Sequence, residues 1–142
     1  MKRSLAALCL AVSLLPSASG EAPSGEGDPL GRFLFAPDKV LGHAQEIGLE
    51  EAQRKAIRNE VQKAQSKFLD FQFDLQSETE RMTLLLREKP VDEAKVLGQV
   101  DRILALEKEI KKTQISLLVR IKNLLTAAQQ AKLTELQKGV GQ

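Results

Sequence analysis

Ile57-Arg-Asn-Glu-Val-Gln-Lys-Ala-Gln-Ser-Lys-Phe-Leu-Asp-Phe-Gln-Phe-Asp-Leu-Gln-Ser-Glu-Thr-Glu-Arg-Met-Thr-Leu-Leu85 is the stretch whose reading decides the fold. Ile57, Val61, Ala64, Phe68, Phe71, Leu75, Glu78, Met82 and Leu85 fall at alternating steps of four and three, with only Glu78 breaking the apolar row. That spacing keeps one face of a helix turned toward a partner helix. Residues 96–124 repeat the steps: Val96, Val100, Ile103, Glu107, Ile110, Gln114, Leu117, Ile121 and Leu124, with Glu107 and Gln114 the exceptions. Between the two stripes stands Lys89-Pro90, and proline cannot continue a helix interior. Two stripes of equal length around a turn describe a long antiparallel hairpin with Leu85 opposite Val96 and Ile57 opposite Leu124. Each helix should run about 45 Å or more at ~1.5 Å per residue.

The stripes are broader than one partner helix can cover. Leu69, Phe73, Leu84 and Leu86 lie beside the first, and Leu97, Leu104, Leu118 and Leu125 beside the second. Short helices at the ends are expected to cover part of this surface. A second subunit in a cradle-like homodimer would cover more, and a monomer core is the equal alternative. The expected fold is all-α with four helices. Pro37-Asp38 starts a short amphipathic helix through Val40, Leu41, Ala44 and Ile47 that ends at Gly48. Leu133 and Leu136 resume an apolar face in a last helix ending near Lys138.

Toward the amino terminus, Lys2 and Arg3 precede an apolar run from Leu5 to Leu15, then Pro16 and the small-x-small set Ala18-Ser19-Gly20. This has the form of a cleaved secretory signal over residues 1–20, and implies a periplasmic protein. The run reaches only about 16 Å as a helix, short of a bilayer core of about 30 Å. No later stretch is expected to span a membrane. Cys9 is the only cysteine and would leave with the signal, so a mature disulfide or thiolate ligand is excluded. Lys2 and Arg3 account for the whole formal charge of +2. A mature chain of zero net charge carries no nucleic-acid footprint.

Residues 21–36 read as an arm. Glu21 to Asp28 is too polar and too rich in Gly and Pro to order itself, but Phe33-Leu34-Phe35 is apolar. Phe33 and Phe35 are expected to tuck against the helices behind them; in an adhesive arm they would meet a partner instead. With Leu69, Phe73, Leu104 and Leu118 they form the candidate partner-binding set.

Two pentapeptides mark the ends of the hairpin. In Leu125-Thr126-Ala127-Ala128-Gln129, the Thr126 hydroxyl can accept from a first-turn amide, and Gln129 can reach back as a capping box. Leu49-Glu50-Glu51-Ala52-Gln53 keeps the Leu and Gln spacing, but Glu50 replaces the threonine and is not expected to cap in the same way. Together they resemble the paired LTxxQ motifs of the Spy/CpxP superfamily of periplasmic proteins, which also contains zinc-resistance-associated and heavy-metal-sensor proteins. The resemblance covers roughly residues 38–138, within an expected domain of 37–138 and before a tail of 139–142. It implies a curved four-helix protein that dimerises into a cradle. The implied roles are ATP-independent chaperone activity in the envelope stress response, restraint of a periplasmic sensor domain, or metal sensing.

Residue inventory constrains the chemistry. His43 is the only histidine, and Glu46 shares its helix face three residues on; one such pair is a weak metal candidate. Met82 stands in the stripe as core. Ser24, Ser66, Ser77 and Ser116 lie in a linker or on long helices, outside any nucleophile turn. No glycine loop cradles phosphate, so neither a catalytic residue nor a cofactor is expected. Arg54, Lys55, Arg58, Lys63 and Lys67 make the first half of helix one basic. Lys108, Lys111, Lys112, Arg120 and Lys122 do the same on helix two, and the hairpin should bring the two regions near each other. Such a surface suits unfolded envelope proteins or an acidic sensor domain.

Overall fold

The computed structural model describes residues 30–139. The expected signal segment, most of the arm and residues 140–142 lie outside the described residues. Four helices follow in order: α1 (Pro37–Gly42), α2 (Glu51–Arg87), α3 (Glu93–Leu124) and α4 (Ala127–Gly139). Among the described residues there is no strand.

Helix α2 runs for 37 residues without a glycine or proline, roughly 55 Å at the standard rise. It ends before the Lys89-Pro90 turn, and α3 restarts at Asp92, whose carboxylate caps the Lys95 amide at 3.2 Å. The two helices pack along their length as an antiparallel pair. Their register is set by two polar contacts: Glu60 with Arg120, and Glu78 with Gln99. Both lie within a few residues of the expected pairing of Ile57 with Leu124 and Leu85 with Val96.

The α2 stripe is as expected, with Ile57 and Ala64 buried and the other seven positions half-buried. The α3 stripe differs at one level. Glu107 is exposed, and Leu106 takes the inward position, between Ile103 and Ile110. The seven-residue repeat from Ile103 to Ile110 is kept, and only the position between them shifts by one residue, from the charged Glu107 to the apolar Leu106.

The short first helix stops earlier than its apolar pattern. Regular α-helix ends at Gly42, and the chain turns on to Gly48, which adopts φ 63°. There Leu49 N–H donates to Ala44 O at 2.8 Å and Gly48 N–H to Gln45 O at 3.1 Å, the paired bonds of a Schellman terminus. Only glycine takes that left-handed angle without strain, so Gly48 does end the segment as its sequence suggests.

Burial is concentrated at one end of the hairpin. Val40, Ile57, Ile121 and Leu133 are the largest fully buried side chains. With Phe35, Ala44, Ile47, Leu49 and Leu125 they form one cluster, drawn from the arm, all four helices and the connections between them. Beyond it, among the described residues, the hairpin stands as two helices alone. Across residues 65–117 the only buried side chain is Gln99, which is polar. It donates to the Glu78 carbonyl at 2.8 Å and to the Glu78 carboxylate, which also accepts from Arg81 at 3.0 Å. The apolar interruption at Glu78 is therefore satisfied within one chain, by a residue outside the stripe pattern.

Stability should follow this gradient. Ile121→Ala empties a fully buried site and is expected to cost about 2–5 kcal/mol. Leu85→Ala, on the half-buried distal seam, should cost about 1 kcal/mol. Urea unfolding of both variants checks this; equal costs would contradict a core confined to the base.

Candidate functional site

The two pentapeptides meet. Gln53 is the third residue of α2, and Gln129 is the third residue of α4, so each projects from a first helical turn. Gln53 Nε2 donates to Gln129 Oε1 at 2.9 Å, and Gln129 Nε2 donates to Gln53 Oε1 at 3.0 Å. Each amide also reaches back to its own helix start. Gln53 Oε1 accepts from the Glu50 amide at 3.0 Å, and Gln129 Oε1 accepts from the Thr126 amide at 2.9 Å. The remaining donors cross over: Gln53 Nε2 to Leu124 O at 2.7 Å, and Gln129 Nε2 to Gly48 O at 3.2 Å. Gly48 and Leu124 each stand five residues before the glutamine of their own segment. The arrangement is a local two-fold in which both side-chain amides use all their donor and acceptor capacity.

Leu49 and Leu125, the leucines of the two motifs, are both buried beneath this clasp. The Thr126 hydroxyl accepts from the Gln129 amide at 3.2 Å, as expected for a cap. Glu50 does not cap in the way that Thr126 does, as its sequence suggests: its side chain makes no cap hydrogen bond. The residue occupies the N-cap of α2, its amide is held by Gln53, and its carboxylate faces the Gln53 backbone amide in a capping box. The reciprocal arm of the box depends on the glutamine and the cap's backbone, so the missing threonine does not abolish it.

The candidate partner-binding residues divide. Phe35 is 2% exposed and Leu118 6%, so both belong to the core and neither is available to a partner. Phe33 is 63% exposed, with the Lys122 ammonium 6.0 Å from its ring centroid, a cation–π distance. The arm therefore tucks one aromatic ring and leaves the other outside. Leu69, Phe73 and Leu104 are more than half exposed, as are Leu84, Leu86 and Leu97. Leu69 and Phe73 are one turn apart, and Leu97 and Leu104 two turns apart, so each helix carries a short apolar row away from the seam.

The His43 ring donates from Nδ1 to Glu46 Oε1 over 2.7 Å, on the exposed surface. Among the described residues no three His, Cys, Asp or Glu side chains gather as a metal-holding group. Among the described residues the His43–Glu46 pair supplies two of the three or four ligands that a transition-metal centre uses. No helix among the described residues is long and apolar enough to cross a membrane.

The comparison with family models fits this architecture. The model for heavy-metal resistance proteins matches residues 3–132, nearly the whole chain. The chain belongs to the heavy-metal resistance family. It thereby falls within the Spy/CpxP-like helical superfamily that the paired motifs resemble. No significant match was found among curated proteins or among solved structures. Within this family member, sequence reasoning missed the Gln53–Gln129 contact itself and the Gln99–Glu78 pin. The repeated spacing of leucine and glutamine, Leu49 to Gln53 and Leu125 to Gln129, was the available signal for the first. Nothing in the periodicity signals the second, because Gln99 lies beside the stripe.

Removing one glutamine leaves buried partners without bonds, so Gln53→Ala and Gln129→Ala should each cost roughly 2–4 kcal/mol. The double variant should cost about 1–2 kcal/mol less than the sum, because both changes break one shared contact. A double-mutant cycle from urea unfolding measures this coupling. Strict additivity would mean that the two amides act only as separate helix caps.

Proposed function

We propose that this family member is a periplasmic, non-enzymatic binding protein that shelters non-native segments of envelope proteins without nucleotide. The observation that carries the reading is the distal hairpin, which exposes Leu69, Phe73, Leu84, Leu97 and Leu104 while burying no apolar side chain between residues 65 and 117. A surface of scattered large apolar groups among Lys67, Lys108, Lys111 and Arg102 suits sequence-tolerant contacts. The supported part of the fold lies at the other end, so the exposed half can adjust without loss of the core. In this reading the half-buried seam from Phe68 to Leu85 is completed by a second copy, giving a cradle-like homodimer. The signal-like residues 1–20 deliver the chain to the periplasm.

The second reading is a regulatory module that binds the periplasmic domain of one signalling partner. Membership of a heavy-metal resistance family favours it. Its metal-dependent form would need ligands pooled between copies, such as two His43–Glu46 pairs. The readings differ in breadth of binding: many clients held loosely, or one partner held saturably.

Light scattering from a chemically unfolded model protein tests the first reading. The chelator-treated protein should suppress aggregation near stoichiometric amounts, without ATP. Leu69→Ser/Phe73→Ser/Leu104→Ser should lose most of that suppression. Its stability should change by only about 0.5 kcal/mol per exposed site. No suppression at several-fold excess would contradict the proposal and leave the regulatory reading.

A further inference from the structure

Midway along the hairpin, where the core ends, the seam is lined by small side chains. Ala64 and Ser66 on α2 face Thr113 and Ser116 on α3, and the gap between the helices opens as a groove of ≈ 510 Å³. That size falls in the range of small-ligand sites, about 300–1,000 Å³. Four cations stand around it: Lys63 and Lys67 from α2, Lys112 and Arg120 from α3. The basic halves of the two helices, separate in sequence, meet here.

One carboxylate opposes them. Glu60 accepts from Lys63 at 2.9 Å and from Arg120 at 2.9 Å, tying the two helices together. The Lys63 hydrogen bond first, and the Arg120 bond second, hold its pKa below the ordinary glutamate range, so it stays ionised. Lys112 meets Glu109 one turn back at 3.1 Å, outside the groove. Lys67 makes no ion pair among the described residues. Positive charge is left over.

The hydroxyls give an independent indication. Ser77, Thr79 and Thr83, further along α2, turn back onto helix carbonyls at 3.1, 2.7 and 3.1 Å. Among the described residues no such bond is made by Ser66, Thr113 or Ser116, the three hydroxyls of the groove. Surplus donors, surplus cations and a single acceptor call for a ligand dense in acceptor oxygens with more than one negative charge. A second hollow nearer the tip, of ≈ 480 Å³, also carries Arg81, Lys95 and Arg102. There Glu78 already holds Arg81, and Glu88 and Asp92 flank Lys95, so less charge is free.

We propose that the groove between Lys63–Lys67 and Lys112–Arg120 is a binding site for linked phosphoryl groups. The ammonium and guanidinium groups neutralise the anion, and the three hydroxyls donate to its oxygens. The site shares Lys67 with the surface that carries the exposed apolar rows, but its argument does not depend on the client-binding reading.

Titration of the purified protein with tripolyphosphate at low ionic strength, followed by calorimetry and by amide NMR, tests the proposal. Saturable binding with shifts confined to residues 60–67 and 112–120 is expected. Lys67→Ala/Lys112→Ala should weaken it by about tenfold, while Lys55→Ala/Lys108→Ala, an equal charge change on exposed positions outside the groove, should change it less than about twofold. Glu60→Gln removes the competing acceptor and should tighten binding by roughly threefold. Phosphatidylglycerol vesicles form a second arm: their headgroups carry single phosphodiesters, so co-sedimentation that depends on the same lysines, without tripolyphosphate binding, would overturn the assignment to linked phosphoryl groups. No binding in either arm at millimolar ligand, equal loss in both lysine pairs, or equally tight binding of citrate would overturn the proposal.

Discussion

Two side-chain amides, Gln53 and Gln129, exchange hydrogen bonds across 76 positions of sequence, and the shape of the base follows from that exchange. Each glutamine begins a helix and is tied to its own N-cap amide, so joining the amides joins the starts of α2 and α4. The crossing bonds to Leu124 O and Gly48 O then fix the end of α3 and the end of the α1 segment against the same point. Four chain ends converge where Leu49 and Leu125 are buried, and the core of Val40, Ile57, Ile121 and Leu133 assembles beneath. An amide suits this position because it offers two donors and two acceptors in one plane. A carboxylate would leave no donor for the two carbonyls, and an apolar side chain would strand both N-cap amides.

What the clasp closes at one end it leaves open at the other. Among the described residues no element covers α2 and α3 beyond Ala64 and Leu118, and the pair is pinned at its distal level by the Glu78–Gln99 contact and by half-buried apolar contacts. Breathing of the hairpin therefore costs less toward the turn than toward the base. The exposed leucines and phenylalanine occupy the half that can move, and the basic groove lies at the border between the two regimes. Rigidity and adhesion are divided along the long axis of one hairpin.

Much of this was legible because period and punctuation are local properties. The stripe from Ile57 to Leu85, the Lys89-Pro90 reversal and the Gly48 stop each follow from a few neighbouring residues, and the structure keeps all three. The capping role of Thr126 was equally local. The expectations that moved depended on distant contacts. Phe33 and Phe35 are alike in sequence, and only the position of the helix cluster decides that Phe35 is inside and Phe33 outside. Leu118 lies beside the stripe, yet it is 6% exposed. Glu107 gave way to its neighbour Leu106, because a carboxylate is costly to place in an apolar seam and a leucine is not. Gln99 could not be seen at all, since its burial answers a carbonyl and a carboxylate at position 78.

The central claim is that one chain is closed at its base and open along its distal hairpin. Residue-resolved native-state hydrogen exchange of the protein tests this most directly. The account predicts that amides around Ile57–Val61 and Leu117–Ile121, with those of α4 near Leu133, exchange only through global unfolding. Protection should fall steadily toward Met82 and Val100, and Gln129→Ala should abolish the difference by loosening the base. Uniform protection along both long helices in a single chain, or strongest protection near the Lys89-Pro90 turn, would contradict it.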